Sequence, residues 1–277
     1  MKSIFEGPFA VLASRFLHVA TEIPISGYLL ESLVKAYVMW FRVDMSQVLV
    51  PPGGFGSFGE FFARKLRSDA RPVCDDPGSV VSPCDGVMMD KGRIEDGAAS
   101  NIVVKGTRYS VRDLIADDSV TSGLAGGGYC LLYLHPRDYH RVHVPVDSTL
   151  REVRYVPGAR YPVAPWASTF AGGVLGKNER IAFDLELPGN DRKCVLLMVA
   201  AFGVGGIECR IHTGAEKLPN GVQRTSCVES LNRGDEIGTF RLGSTVVFLW
   251  PGNLVEIDKS LVVGARVQAG QRIGRII

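Results

Sequence analysis

The sequence lacks any uninterrupted apolar run of about 18 residues, so nothing in it reads as a membrane-spanning helix. It has no Cys-x-x-Cys pair and no Cys/His spacing of the zinc type, so no metal is expected. Its cysteines, Cys74, Cys84, Cys130, Cys194, Cys209 and Cys227, are too scattered for a disulfide framework and are expected as reduced thiols of a cytosol-facing protein. Neither sign of charge dominates: 31 Lys and Arg against 29 Asp and Glu leave +2. Without a long Lys/Arg block, that balance argues against nucleic acid as a partner. A mildly basic chain suits an anionic membrane surface. No signal peptide is expected, because Glu6, Pro8, Arg15 and His18 break the N-terminal apolar run and no small-residue cleavage site follows. Strict repeats and low-complexity tracts are missing as well, which excludes a solenoid.

What is present is a folded globular composition, 277 residues with 46% hydrophobic and 22% charged, enough for one large domain or two modest ones. Residues 1–50 differ from the rest. Phe5, Phe9, Leu12, Phe16 and Leu17 mark a first apolar helix, and Ile23-Pro24-Ile25-Ser26-Gly27 ends it. Leu29, Leu30, Leu33, Val34, Tyr37, Val38 and Phe41 then follow the helical period, with Glu31, Lys35 and Arg42 off the stripe. Two such helices can pack on a core or lie in a membrane interface. A Pro/Gly linker at 51–56 leads to Ser57, an N-cap with Glu60 at capping-box spacing. The Arg64, Lys65 and Arg67 cluster beyond it is a solvated face or a contact for lipid phosphates.

Residues 51–277 read as β-rich. Short apolar runs at Val80-Val81, Tyr129 to Leu134, Val195 to Ala201 and Thr245 to Leu249 alternate with turn residues. Gly234-Asp235-Glu236-Ile237-Gly238 and Gly270-Gln271-Arg272-Ile273-Gly274 share one signature, paired glycines about a tight reversal. They resemble the hairpins of lipoyl- and biotinyl-carrier barrels. The fold class expected is α+β: a β-rich core with barrel-sandwich-hybrid-like hairpins, preceded by amphipathic N-terminal helices.

Three segments could carry chemistry. Leu242-Gly243-Ser244-Thr245 is an ordinary turn, or a serine set to attack the carbonyl before it across a glycine that tolerates distortion. Ser82-Pro83-Cys84-Asp85-Gly86 is a turn that places a carboxylate. Between His135 and His143 lie three of the five histidines, and His140 and His143 would face opposite ways in a regular strand unless a bulge intervened. A metal reading completes no ligand set; a histidine acting as base on Ser244, oriented by Asp85, is the alternative.

These segments together resemble the phosphatidylserine decarboxylases. The likeness runs through Phe61-Phe62-Ala63-Arg64-Lys65-Leu66 with Arg71-Pro72, Ser82 to Gly86, and Asp138-Tyr139-His140-Arg141-Val142-His143-Val144-Pro145. It continues through Lys177-Asn178-Glu179-Arg180, Val204 to Ile207, Gly234 to Phe240 and Leu242 to Thr245, from about Phe58 to the end. The resemblance implies a proenzyme that cuts itself between Gly243 and Ser244, into a β chain of residues 1–243 and an α chain of 277 − 244 + 1 = 34 residues that completes the barrel. It implies His143 as the base, Asp85 as its partner and Ser244 as the nucleophile that becomes a covalent pyruvoyl cofactor. That group would form a Schiff base with the substrate amine and take up the electrons left by carbon dioxide. His140 is the candidate for reprotonation or for holding the substrate carboxylate. Phosphatidylserine in an anionic membrane is the implied partner, the cytoplasmic face of the cell membrane the implied location, and a homodimer is left open.

Several positions depart from the usual pattern of that family: Cys84, Gly206, Asp147-Ser148, and the loop from Pro157 to Phe170, whose Tyr161 to Trp166 stretch could touch lipid. Two other functions fit parts of the pattern. A serine hydrolase would use Asp85, His143 and Ser244 but lacks Gly-x-Ser-x-Gly. A lipoyl-like carrier would use Lys259 on Glu256-Ile257-Asp258-Lys259-Ser260, and would need far fewer residues.

Overall fold

The computed structural model describes residues 20–24, 27–96, 100–161, 163, 173–189, 191–201, 207–210, 216–217, 221–241 and 244–277. Most of the first expected helix, Leu242-Gly243, Gly206 and nearly all of the Tyr161 to Trp166 stretch lie outside them. The chain is α+β and strand-rich. Helix α1 (Tyr28–Phe41) and the short helix α2 (Phe58–Phe62) precede the three larger sheets, and helix α3 (Val111–Ile115) lies among their strands.

The strands of the three larger sheets are β1 (Ser79–Val81), β2 (Gly86–Arg93), β3 (Gly128–Leu134), β4 (Arg141–His143) and β5 (Ser148–Val156). They continue with β6 (Arg180–Glu186), β7 (Lys193–Ala200), β8 (Ile207–Cys209), β9 (Glu216–Lys217) and β10 (Gln223–Leu231). The last are β11 (Glu236–Phe240), β12 (Ser244–Trp250), β13 (Val255–Ile257), β14 (Arg266–Val267) and β15 (Arg272–Ile276). Nine form one antiparallel sheet in the order β9-β10-β5-β6-β7-β12-β3-β2-β14. Its edge strands, β9 and β14, have two residues each and do not pair with one another, so the sheet stays open where a barrel was expected.

The unbroken apolar runs become central strands buried on both faces. In β7, Cys194, Leu196 and Met198 enter one core while Val195, Leu197 and Val199 enter the other. In β12, Val246 and Phe248 divide from Val247 and Leu249 in the same way. Val111, Leu114 and Ile115 of α3 help cover the second face.

Two three-stranded sheets, β8-β11-β4 and β13-β15-β1, carry the two glycine-paired hairpins. They are two copies of one unit, which the sequence reading missed. Gly270 N–H donates to Ser82 O and Ser82 N–H to Gln271 O; Gly234 N–H donates to Val144 O and Val144 N–H to Asp235 O. The copies then clasp reciprocally: Val81 N–H to Pro145 O at 2.9 Å, His143 N–H to Pro83 O at 2.7 Å. Register shifts fall at matching places, between Glu236 and Gly238 and between Arg272 and Gly274. The glycines of each pair serve different needs. Gly234 and Gly270 take positive φ (91° and 81°), whereas a Cβ on Gly238 or Gly274 would meet a strand carbonyl at 2.9 or 2.5 Å.

Helix α1 packs one face on the core and leaves the other exposed. Leu30, Val34, Tyr37 and Val38 pack against Phe58, Phe61 and Phe62, while Tyr28, Leu29, Leu33, Met39 and Trp40 remain exposed, Trp40 at 83%. Ser57 caps α2 as expected, accepting from Glu60 N–H at 3.0 Å, but the Glu60 carboxylate reaches back to Gly56 N–H instead of the cap residue. Arg64 corrects the expectation of a basic surface cluster. It is buried at 3% exposure, and its guanidinium donates to the Arg137 and Asp138 carbonyls at 2.7 and 2.8 Å.

Candidate active site

Ser244 opens β12 between β7 and β3, in register with Ala200 and Leu134. It is fully buried, and its Oγ has no hydrogen-bond partner among the described residues. Such an orphan is costly inside a protein and calls for a reason.

His140 supplies the complementary orphan. It is fully buried, its ring centroid 4.2 Å from that of Phe62. Its Nδ1 lies 2.8 Å from the Asp138 carbonyl oxygen, so Nδ1 carries the proton and Nε2 is a bare lone pair. That Nε2 also lacks a partner among the described residues. Burial, reinforced by the Arg64 charge, lowers the His140 pKa to about 3 and keeps the ring neutral. The Phe240 N–H donates to the His140 carbonyl at 2.9 Å, which ties His140 to the end of β11 that leads into Ser244.

The FFAR segment builds the floor of this turn. Phe62 packs on His140, Arg64 holds the carbonyls at 137 and 138, and Ala63 O accepts two N–H groups of Arg141 at 3.1 and 2.9 Å. These contacts explain why the two distant motifs occur together.

His143 lies at the other end of β11, paired in register with Glu236. Its Nδ1 is 2.8 Å from Gly234 O and its Nε2 3.2 Å from the Tyr139 hydroxyl, and the Tyr139 ring stacks on it. Burial lowers its pKa, while the Gly234 carbonyl and the charges of Glu236 and Asp85 oppose that shift. The expected hydrogen bond from His143 to Asp85 is not among its contacts. Asp85, also buried, is taken instead by Arg71, whose Nε and terminal N–H reach its two oxygens at 2.7 and 2.5 Å, and by Ala269 N–H at 2.9 Å.

The duplicated unit explains half of this arrangement. Asp147 accepts from Arg233 N–H at 2.7 Å, at the place where Asp85 accepts from Ala269 N–H. The carboxylate-to-turn bond therefore belongs to the repeat, and Arg71 is what the Asp85 copy adds. It also gives a physical use to Asp147, which departs from the usual pattern. Arg71 and Tyr139 both lay within motifs already singled out, yet neither residue type announces a role without its partner. Gly243 lies outside the described residues; Ser244 follows the end of β11 that bonds the His140 carbonyl, and Asp85 and His143 make no hydrogen bond to each other. Among the described residues, no cluster of three His, Cys, Asp or Glu side chains could hold a metal ion.

The comparisons with known proteins agree with one another. Residues 58–275 match the family model described as phosphatidylserine decarboxylase. The phosphatidylserine decarboxylase proenzyme of Azotobacter vinelandii is 35% identical over 254 residues, covering 88% of this chain and 87% of the relative. That of Anaeromyxobacter sp. (strain K) is 34% identical over 247 residues, covering 87% and 86%. The Bordetella petrii proenzyme is 36% identical over 243 residues, covering 84% and 82%. With the match spanning the sheet, both hairpin units and the serine turn, the chain belongs to the phosphatidylserine decarboxylase family of carboxy-lyases.

Proposed function

We propose that this protein decarboxylates phosphatidylserine to phosphatidylethanolamine after cutting itself between Gly243 and Ser244. The observation that carries the reading is the fully buried, unpartnered Ser244 hydroxyl at the mouth of the central strand.

The two imidazoles divide the work according to their surroundings. His140, held neutral far below its ordinary pKa, is a poor proton acceptor but a fixed hydrogen-bond partner for what stands beside it. His143, whose proton affinity Asp85 and Glu236 support, is the base. To act, its Nε2 must give up the 3.2 Å contact with Tyr139 and approach the Ser244 hydroxyl, which follows the far end of β11. The freed oxygen attacks the Gly243 carbonyl carbon, and the Ser244 nitrogen leaves with a proton, so an ester replaces the amide. Removal of the Ser244 Cα proton then breaks the Cβ–Oγ bond. The upstream chain departs as a carboxylate at Gly243, leaving dehydroalanine. Tautomerisation and addition of water, with loss of ammonia, convert residue 244 to a pyruvoyl group.

Residue 244 suits that group, because a fully buried start of strand excludes bulk water. The pyruvoyl group supplies an electrophilic carbonyl for the substrate amine and an electron sink for the carbanion left by carbon dioxide. His140, an acceptor at its unprotonated Nε2, takes the part of orienting the headgroup and not that of a proton donor. The α chain stays bound after cleavage, because β12 is paired with β7 and β3, β14 with β2 and β15 with β1, all strands of the β chain.

The exposed face of α1, with Met39 and Trp40, supports peripheral attachment to the cytoplasmic face of an anionic membrane. No described helix is long and apolar enough to cross one. The test is headgroup conversion in phosphatidylserine vesicles, followed by mass spectrometry. Phosphatidylethanolamine should appear with the wild-type protein and not with Ser244→Ala. Equal conversion by both would overturn the reading.

A further inference from the structure

Beside the Arg71–Asp85 pair lies a cavity of about 380 Å³. Five guanidinium groups line it, those of Arg42, Arg64, Arg71, Arg137 and Arg266. Three carboxylates share the lining, and each is already engaged. Asp85 accepts from Arg71 and Ala269, Asp138 from Arg266 and the His135 N–H, and Asp44 from Ser46.

The cations are not used up in the same way. Arg71 is spent on Asp85, Gln47 and the Ala70 carbonyl. Arg64 is almost wholly buried and gives its terminal nitrogens to backbone carbonyls, yet its Nε has no partner. The Nε of Arg137 is buried without a hydrogen bond too, its nearest charge an Asp138 oxygen at 3.9 Å. The Arg42 side chain makes no hydrogen bond or ion pair with the described residues; only its backbone N–H is used, capping α1 on the Val38 carbonyl. Five positive charges therefore face three negative ones, and two buried N–H donors await acceptors. Water satisfies a donor but not a charge surplus. A tetrahedral oxyanion does both, since its several oxygens accept from several planar guanidinium forks at once.

We propose that this cavity is a binding site for a phosphate group, brought by a phospholipid headgroup or as free phosphate. A lipid source has a route: Arg42 follows directly on α1, whose exposed Met39 and Trp40 would rest in the same bilayer surface. The site is argued from Arg42, Arg64 and Arg137, and stands or falls independently of Ser244 chemistry.

The test uses the wild-type full-length protein and the double variant Arg42→Gln/Arg137→Gln, neither residue having a part in the proposed cleavage. One arm titrates inorganic phosphate by calorimetry. The other measures co-sedimentation with phosphate-free galactolipid vesicles, plain or doped with phosphatidic acid. Saturable binding of inorganic phosphate, weakened about tenfold or more in the double variant, supports the site with free phosphate as a ligand. Sedimentation that depends on phosphatidic acid and is lost in the double variant supports it with a lipid as the source. If the wild type binds in neither arm, or the double variant matches it in both, the proposal is wrong.

Discussion

Acid should unfold this protein partly through one histidine. His140 is fully buried and neutral, with its pKa lowered from 6.5 to about 3. In the unfolded chain it takes a proton near its ordinary pKa, so between those two values the unfolded state binds the extra proton. Stability from this group is complete above about pH 6.5 and is lost as the pH falls toward the folded-state value. At pH 4 the linkage amounts to about 3 kcal/mol relative to pH 7. His140→Gln removes the titration and retains an amide donor for the Asp138 carbonyl. The background should be Ser244→Ala, which keeps the chain in one piece whether or not the wild type is cut. Urea midpoints at pH 7 and pH 4 give the comparison. The parent should lose about 3 kcal/mol more than the His140→Gln protein over that interval, because every other titrating group is common to both. Equal losses would refute the assignment of His140 as a buried neutral imidazole.

Three further outcomes follow from the site. His143→Ala should leave a single chain on a denaturing gel, while His140→Gln should still be cut yet lose about a hundredfold or more in decarboxylation; the reverse pattern would exchange their roles. Asp85→Asn strands Arg71, a largely buried guanidinium, and should lower stability by about 3 kcal/mol in thermal or urea unfolding as well as block cleavage. Met39→Ser with Trp40→Ser should weaken co-sedimentation with phosphatidylserine vesicles without altering self-cleavage, because both side chains are exposed.

Periodicity and turn chemistry made much of the fold legible. The α1 stripe, the Ser57 cap and the central runs of β7 and β12 are local patterns, and they formed where their residues indicated. What escaped was non-local. The two hairpin units share only paired glycines and Pro-x-Asp between Pro83-Cys84-Asp85 and Pro145-Val146-Asp147, too little to read as a repeat, while their likeness lies in backbone bonds between distant segments. The barrel expectation failed for a related reason, since closure depends on whether short edge strands meet. At the site, residue types marked Ser244, His140, His143 and Asp85, but pairing was beyond them. Arg71 claims Asp85 from 14 residues away and Gly234 O claims His143 from 91. Arg64 looked like a surface charge because its partners, two backbone carbonyls, carry no signature in a sequence.

Cleavage at Ser244 is the step on which everything else rests, and intact-mass spectrometry of the purified wild-type protein tests it directly. Two chains are predicted, residues 1–243 and a fragment of 277 − 244 + 1 = 34 residues whose mass is lower by one ammonia than that of the peptide beginning with serine. A single chain of 277 residues, persisting in folded protein under native conditions, would contradict the account.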